Sequence, residues 1–329
     1  MNMSATESAN NALNQRIRTE LLDAECQPPC IAIVSPSGYA PNPDAVTRGI
    51  ATLQAQGCQV RNLTDPVYRH HRFGARDDQR IAQLYAAAQD PDVDIVMALR
   101  GGYGLTRLLP DLDFSLLARS GKLFVGHSDF TALQMGLLAT QGHVTFSAPM
   151  LCDDFVREEL RAFSLTDFWQ CLSHSQHVVR GTATGNPEVD LHGTLWGGNL
   201  AMLTHLVGSP WLPQIDGGIL FVEDVNEHPY RVERMLLQLL HAGVLQKQKA
   251  LILGDFSGYK LTDYDNGYDF EQMLLWLRQQ VPIPILSGLP IGHGRDKVTL
   301  PVGAPAHLYA LNGHFSLTVS DYPHLPVSA

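Results

Sequence analysis

The chain has 329 residues, of which 45% are hydrophobic and 17% charged, a composition typical of a globular protein large enough for two domains with sizeable cores. Lys and Arg number 23 against 33 Asp and Glu, giving a formal charge of −10 and a pI near 5.7. This balance argues against nucleic acid and anionic membrane surfaces as partners, although a few local donors can still hold a small anionic ligand.

Residues 1–27 read as a mobile or weakly helical arm, and the first 25 carry no apolar core of a secretory signal. No apolar run reaches bilayer length, so a cytoplasmic protein that does not engage membranes is expected. The five cysteines, Cys26, Cys30, Cys58, Cys152 and Cys171, are odd in number and scattered. No second Cys/His pair stands at zinc spacing, so free thiols and no metal or other cofactor are expected.

From Ile31 the pattern is α/β. Ile31–Val34 reads as a strand, followed by Val46, Ile50 and Leu53 at helical spacing up to Gly57. Cys58–Leu63 is the next strand, and Ile81, Leu84, Tyr85 and Ala88 mark a second helix with Asp78 as its expected N-cap. Two further strands end at Leu99 and Val125, and a short one near Val144–Phe146 closes the unit. This alternation predicts a doubly wound parallel sheet, flavodoxin-like, over residues 28–150. Residues 151–190 read as a linker, and 191–329 as a second, mixed and β-rich α/β domain, expected to be barrel-like. Its ending, Leu308–Leu311, Asn312-Gly313, then Phe315, Leu317 and Val319, is a hairpin signal.

Two loops of the first domain stand out. Val125-Gly-His-Ser-Asp-Phe-Thr-Ala-Leu133 places Ser128 on a sharp strand-to-helix turn, where its hydroxyl is exposed beside helix N-terminal amides. A serine so placed can act as a nucleophile, or it can merely cap the helix. Upstream, the strand ending at Leu99 runs into Arg100-Gly-Gly-Tyr-Gly104, whose glycines let the backbone approach a ligand. That loop lacks the P-loop ending and is not a G-x-G-x-x-G fingerprint, which disfavours a nucleotide. Both loops lie at the carboxyl ends of predicted parallel strands, where open α/β sheets build their sites.

Arg100–Gly104 with Arg107-Leu-Leu109, Gly126–Leu133, Trp196-Gly-Gly-Asn-Leu200, Val222-Glu-Asp-Val225 with Pro229-Tyr-Arg231, and Gly288-Leu-Pro-Ile-Gly-His-Gly294 occur in that order. Together they resemble the LD-carboxypeptidase family of serine peptidases over most of the chain, from about Ile31 to about Leu308. The similarity is greater to the muramoyltetrapeptide carboxypeptidases than to the microcin-immunity peptidases. The resemblance implies a homodimer acting on a small peptide or muropeptide, with release of a terminal D-Ala from the L-centre of meso-diaminopimelate. The alternatives are cleavage of a toxic peptidyl-nucleotide and a non-catalytic α/β ligand-binding module.

A serine nucleophile needs a base and a group that orients it. Of 14 histidines, His293 lies in a glycine-flanked loop suited to an exposed functional side chain, and the resemblance maps it onto the family's catalytic histidine. Glu223 ends the strand Ile219–Val222, where a charge beside a buried run needs a partner, either a triad histidine or a helix residue such as Arg231. Asp224 is its local rival, since adjacent strand residues face opposite ways. By resemblance Glu223 is the triad acid. The backbone N–H groups of Gly102 and Asp129 would form the oxyanion hole, with the Asp129 side chain capping its helix. Asn199, at an anion-friendly helix start, and Arg100 and Tyr103 are candidates for binding the substrate carboxylate.

Overall fold

A computed structural model describes residues 4–22 and 28–325, so Cys26 lies outside the described residues. The expected arm is a helix, α1 (Ala5–Leu22), with Ile17 fully buried and contacts to the second and seventh helices. Its apolar residues Leu13 and Ile17 are four apart, hence on one face, and that face joins the core of the first domain.

The first domain then runs β1 (Cys30–Val34), α2 (Pro43–Ala55), β2 (Gln59–Asn62), α3 (Asp77–Gln89), β3 (Ile95–Ala98), α4 (Phe114–Arg119), β4 (Leu123–Gly126), α5 (Thr131–Gln141) and β5 (Thr145–Ser147). These strands pair in parallel in the order β2-β1-β3-β4-β5, the flavodoxin order. β1, β3 and β4 are buried at every position, as expected of strands covered by helices on both faces. Helix α2 starts where Asn42 accepts from Asp44 N at 2.9 Å and Pro43 fills the first position. Asp78, by contrast, is not a cap. Helix α3 begins one residue earlier, and Asp78 pairs with Arg76 on the exposed first turn.

Residues 151–190 hold α6 (Leu151–Asp154), α7 (Ala162–Ser173) and β6 (Gln176–Thr182). The remainder comprises β7 (Val189–Asn199), α8 (Leu200–Leu206), β8 (Ile219–Glu223), α9 (Pro229–His241), β9 (Ala250–Leu253), α10 (Phe270–Gln280), β10 (Ile285–Ser287), β11 (Leu300–Val302), β12 (Pro305–Leu311) and β13 (His314–Ser320). Seven strands form the second sheet, in the order β10-β9-β8-β7-β12-β13-β6. Strand β6, within the expected linker, is therefore one edge of this sheet. The barrel-like expectation is corrected, because β10 and β6 are edges that do not pair and the sheet stays open. The cause is β7. Its first half pairs antiparallel with β12 and its second half pairs parallel with β8, so the strand hands over between two half-sheets. The hairpin turn is as expected, with Asn312 and Gly313 both at positive φ, 52° and 76°.

One crossing matters for the site. After β10 in the second sheet, the chain traverses residues 288–299 and enters the first sheet as β11, antiparallel to β5. His293 lies on that bridge.

Candidate active site

Ser128 follows β4 and has φ +60°, the left-handed region that costs a residue with a Cβ about 1–3 kcal/mol. The surroundings hold it there. Gly101 packs directly over it, and a Cβ on Gly101 would sit 2.7 Å from Ser128 Cβ and 3.5 Å from Asp129 N. This close approach requires glycine. The neighbouring Gly102 has φ +115°, a conformation also reserved for glycine. Asp129 is buried, and its side chain does not cap the helix. Oδ2 accepts from Ser37 Oγ at 2.6 Å and from Leu105 N at 3.0 Å, tying the β1 and β3 loops to the serine turn. The cap expectation is therefore corrected.

His127 points inward. Its ring is buried, and Nδ1 donates to Ala148 O at 2.9 Å. Burial drives its pKa well below the ordinary value, so it is a neutral wall rather than a base. That wall stands edge-on to the His293 ring, with centroids 5.2 Å apart. The base candidate thus lies beside the residue that precedes Ser128. Among the described residues Ser128 Oγ has no hydrogen bond, an arrangement common in unliganded sites whose contacts tighten on substrate.

Glu223 ends β8 at 1% exposure, and its Oε2 lies 2.8 Å from His293 Nδ1. Arg231 pairs with Glu227 instead, so the helix-residue partner for Glu223 does not arise. Nδ1–H donates to the carboxylate, which leaves Nε2 as the free acceptor. Burial opposes charge on His293, but the hydrogen bond and charge of Glu223 outweigh it and raise its pKa. Asp224, one residue past the end of β8, makes no hydrogen bond or ion pair with His293. Its oxygens accept from Ala201 N at 2.9 Å and Val225 N at 2.9 Å, and burial followed by the charge of Glu223 pushes its pKa up to about 6.

Asn199 departs from its expected role. Its Oδ1 caps α8 by accepting from Met202 N at 3.2 Å, and its Nδ2 donates to Glu223 at 3.3 Å and Asp224 at 3.1 Å. Both ends of the amide are occupied within the protein, so it positions the acids. Its backbone N–H donates to Thr131 Oγ1 at 3.1 Å, and Gly198 packs on the same threonine, joining β7 to the start of α5. Arg100 donates to Tyr39 O at 3.3 Å, and Tyr103 is exposed, with the Arg72 guanidinium 5.6 Å from its ring centroid.

Sequence reasoning missed two residues here. Asp153, half-buried at the start of α6, has its carboxyl raised by burial and by Asp154, within the fields of Lys297, Arg100 and His293. Lys297 is buried and pairs with Asp154 at 3.0 Å, which pins the His293 bridge to α6. A fully buried lysine four residues after the histidine leaves no signal in an amphipathic pattern. Among the described residues Cys30, Cys58, Cys152 and Cys171 are free thiols, none in this arrangement of serine, acid and base. No described helix is long and apolar enough to cross a membrane.

Comparison with known proteins follows the same outline. Residues 31–148 match the model of the LD-carboxypeptidase N-terminal domain and residues 192–308 that of the LD-carboxypeptidase C-terminal domain. The crystal structure of a muramoyltetrapeptide carboxypeptidase from Oxalobacter formigenes is 56% identical, with a TM-score of 0.86, over 89% of this chain and 99% of that one. A "probable murein peptide carboxypeptidase" of Bacillus subtilis is 30% identical over 84% of this chain and 87% of its own. The microcin C7 self-immunity protein of Escherichia coli is 27% identical over 82% of this chain and 87% of its own.

Proposed function

Since the chain belongs to the LD-carboxypeptidase family, we propose that it is a serine carboxypeptidase that releases the terminal D-Ala from murein tetrapeptides, cutting at the L-centre of meso-diaminopimelate. The observation that carries this reading is the pair of buried Glu223 with the partly exposed His293, 2.8 Å apart, beside the strained turn that carries Ser128. The names of the Oxalobacter and Bacillus proteins support the substrate class.

In this reading Ser128 Oγ attacks the carbonyl carbon of the scissile amide and its proton passes to His293 Nε2. The oxyanion is held by the N–H groups of Asp129 and Gly102. His293 then gives the proton to the departing D-Ala amine as the C–N bond breaks. Water, deprotonated by His293, cleaves the acyl-serine and restores the enzyme. Glu223 keeps Nδ1 protonated throughout and stabilises the imidazolium. Arg100 and Tyr103, on the loop that follows β3, would meet the substrate carboxylate in this reading.

Incubation with disaccharide-tetrapeptide followed by mass spectrometry tests the function. Loss of one alanine with an intact glycan is the expected result, and an unchanged tetrapeptide contradicts it. The similarity to the microcin self-immunity protein supports a second reading, cleavage of a peptidyl-nucleotide, which predicts turnover of that substrate in place of the tetrapeptide. Turnover should be the same after exhaustive treatment with EDTA, because the proposed steps use only protein groups. Loss of activity with recovery on added zinc would overturn the serine route.

A further inference from the structure

A second cluster of chemistry-bearing side chains lies at the opposite end of β7 from the site. Asp190 and His192 are two apart on β7, hence on one face of the sheet, and His307 on β12 is the direct cross-strand partner of His192. The two imidazole rings stack at 4.1 Å with only 6° between their planes. His307 Nε2 donates to Asp190 Oδ1 at 2.7 Å. One ligand atom from each of the three residues falls within 4.8 Å of the others. Among the described residues the His192 ring has no hydrogen bond, and its stacking on His307 is the one ring contact it makes. His192 and His307 line a cavity of about 550 Å³ that Asp216 also lines, and Asp190 is exposed at its margin through its bond to His307.

We propose that Asp190, His192 and His307 form a binding site for a late divalent transition-metal ion, with zinc the representative case. Two imidazoles and one carboxylate suit such ions, and the open cavity leaves room for water to complete the shell. The ion takes the place of the proton between His307 Nε2 and Asp190 Oδ1, and that proton passes to solvent. Zinc–ligand bonds of about 2.0–2.2 Å set neighbouring ligand atoms roughly 3.4 Å apart, so the His307–Asp190 contact opens by about 0.7 Å while the exposed His192 ring moves in. The backbone is already in place, because sheet register sets the opposition of His192 and His307. A lysine ammonium, Lys249 Nζ, donates to the backbone carbonyl of His192 at 2.7 Å, so its charge is turned to the strand backbone, while Asp216 pairs with Lys247 at 3.5 Å.

This site has no part in the proposed hydrolysis. His192 is seven residues from Asn199 along β7, about 23 Å of extended strand. The test is calorimetric titration of the full chain with zinc chloride, for wild type, His192→Gln and His307→Gln. The side chains are partly or fully exposed, so both variants should melt with the metal-free wild type. One site is expected in the wild type that each variant weakens by about tenfold or more, together with a zinc-induced rise in melting temperature that the variants lack. Equal zinc affinity in all three proteins, or no uptake by wild type at millimolar zinc, overturns the proposal.

Discussion

Between Glu223 and Asp224, one carboxylate reaches His293 and its neighbour, just past the end of β8, turns to the start of α8. Glu223 raises the His293 pKa above the ordinary histidine value. His293 must be neutral to accept the serine proton, so the acidic limb of kcat/KM should lie above about pH 6.5. Glu223→Gln removes the charge that favours the imidazolium, so the limb should move to lower pH and kcat should fall by roughly 10³–10⁴. Asp224 itself titrates near pH 6, so its own ionisation overlaps the limb. Asp224→Asn should nonetheless leave the limb in place, because Asp224 does not touch His293. A crippled Asp224→Asn beside a near-normal Glu223→Gln would reverse the assignment. Sequence could narrow the acid to this pair, and family resemblance chose within it. It could not show that Asn199 serves both acids, because those partners are 24 and 25 residues downstream and meet it only through the β7–β8 register.

Elements that depend on local pattern were legible. The buried strand ending at Leu99, the strand–turn–helix around Ser128 and the Asn312-Gly313 hairpin all follow from periodicity and turn chemistry. Elements defined by distant pairing were not. Closure of the second sheet depends on whether β6 and β10 meet, and nothing in either strand encodes that. Helix α8 shows how one residue serves two levels, since Asn199 both caps it and donates to the acids. The two roles can be separated. Asn199→Ala should cost about 1–2 kcal/mol of stability through the lost cap and should lower kcat by about tenfold or more. Asn199→Ser keeps a capping oxygen but has no amide to reach Glu223 and Asp224. It should recover most of the stability in urea unfolding and little of the kcat. Equal recovery of both would make the cap the whole of the residue's role.

Across the whole molecule, Ser128 sits at the carboxyl end of the parallel strands of one sheet and Glu223 at the carboxyl end of the parallel strands of the other. His293 lies on the bridge between them. Several contacts lock that bridge. The Lys297–Asp154 pair is buried, Arg161 holds Asp296 through two bonds of 2.9 and 3.0 Å, and β11 joins β5. Lys297→Met leaves Asp154 without its buried partner and should destabilise the protein by about 3 kcal/mol in urea unfolding. A shift under about 0.5 kcal/mol would show that the pair does not hold the bridge. The return of β11 to the first sheet was invisible in a three-residue strand, yet it is what brings residue 293 towards residue 128. The most direct test of the account is turnover of the tetrapeptide by Ser128→Ala. Alanine keeps the Cβ and hence the same backbone strain as serine, so the variant should fold and melt like the wild type. Its kcat should fall by roughly 10⁴-fold or more, leaving only what binding and the oxyanion donors supply. Retention of more than a few per cent of wild-type turnover by a folded variant would contradict Ser128 as the nucleophile.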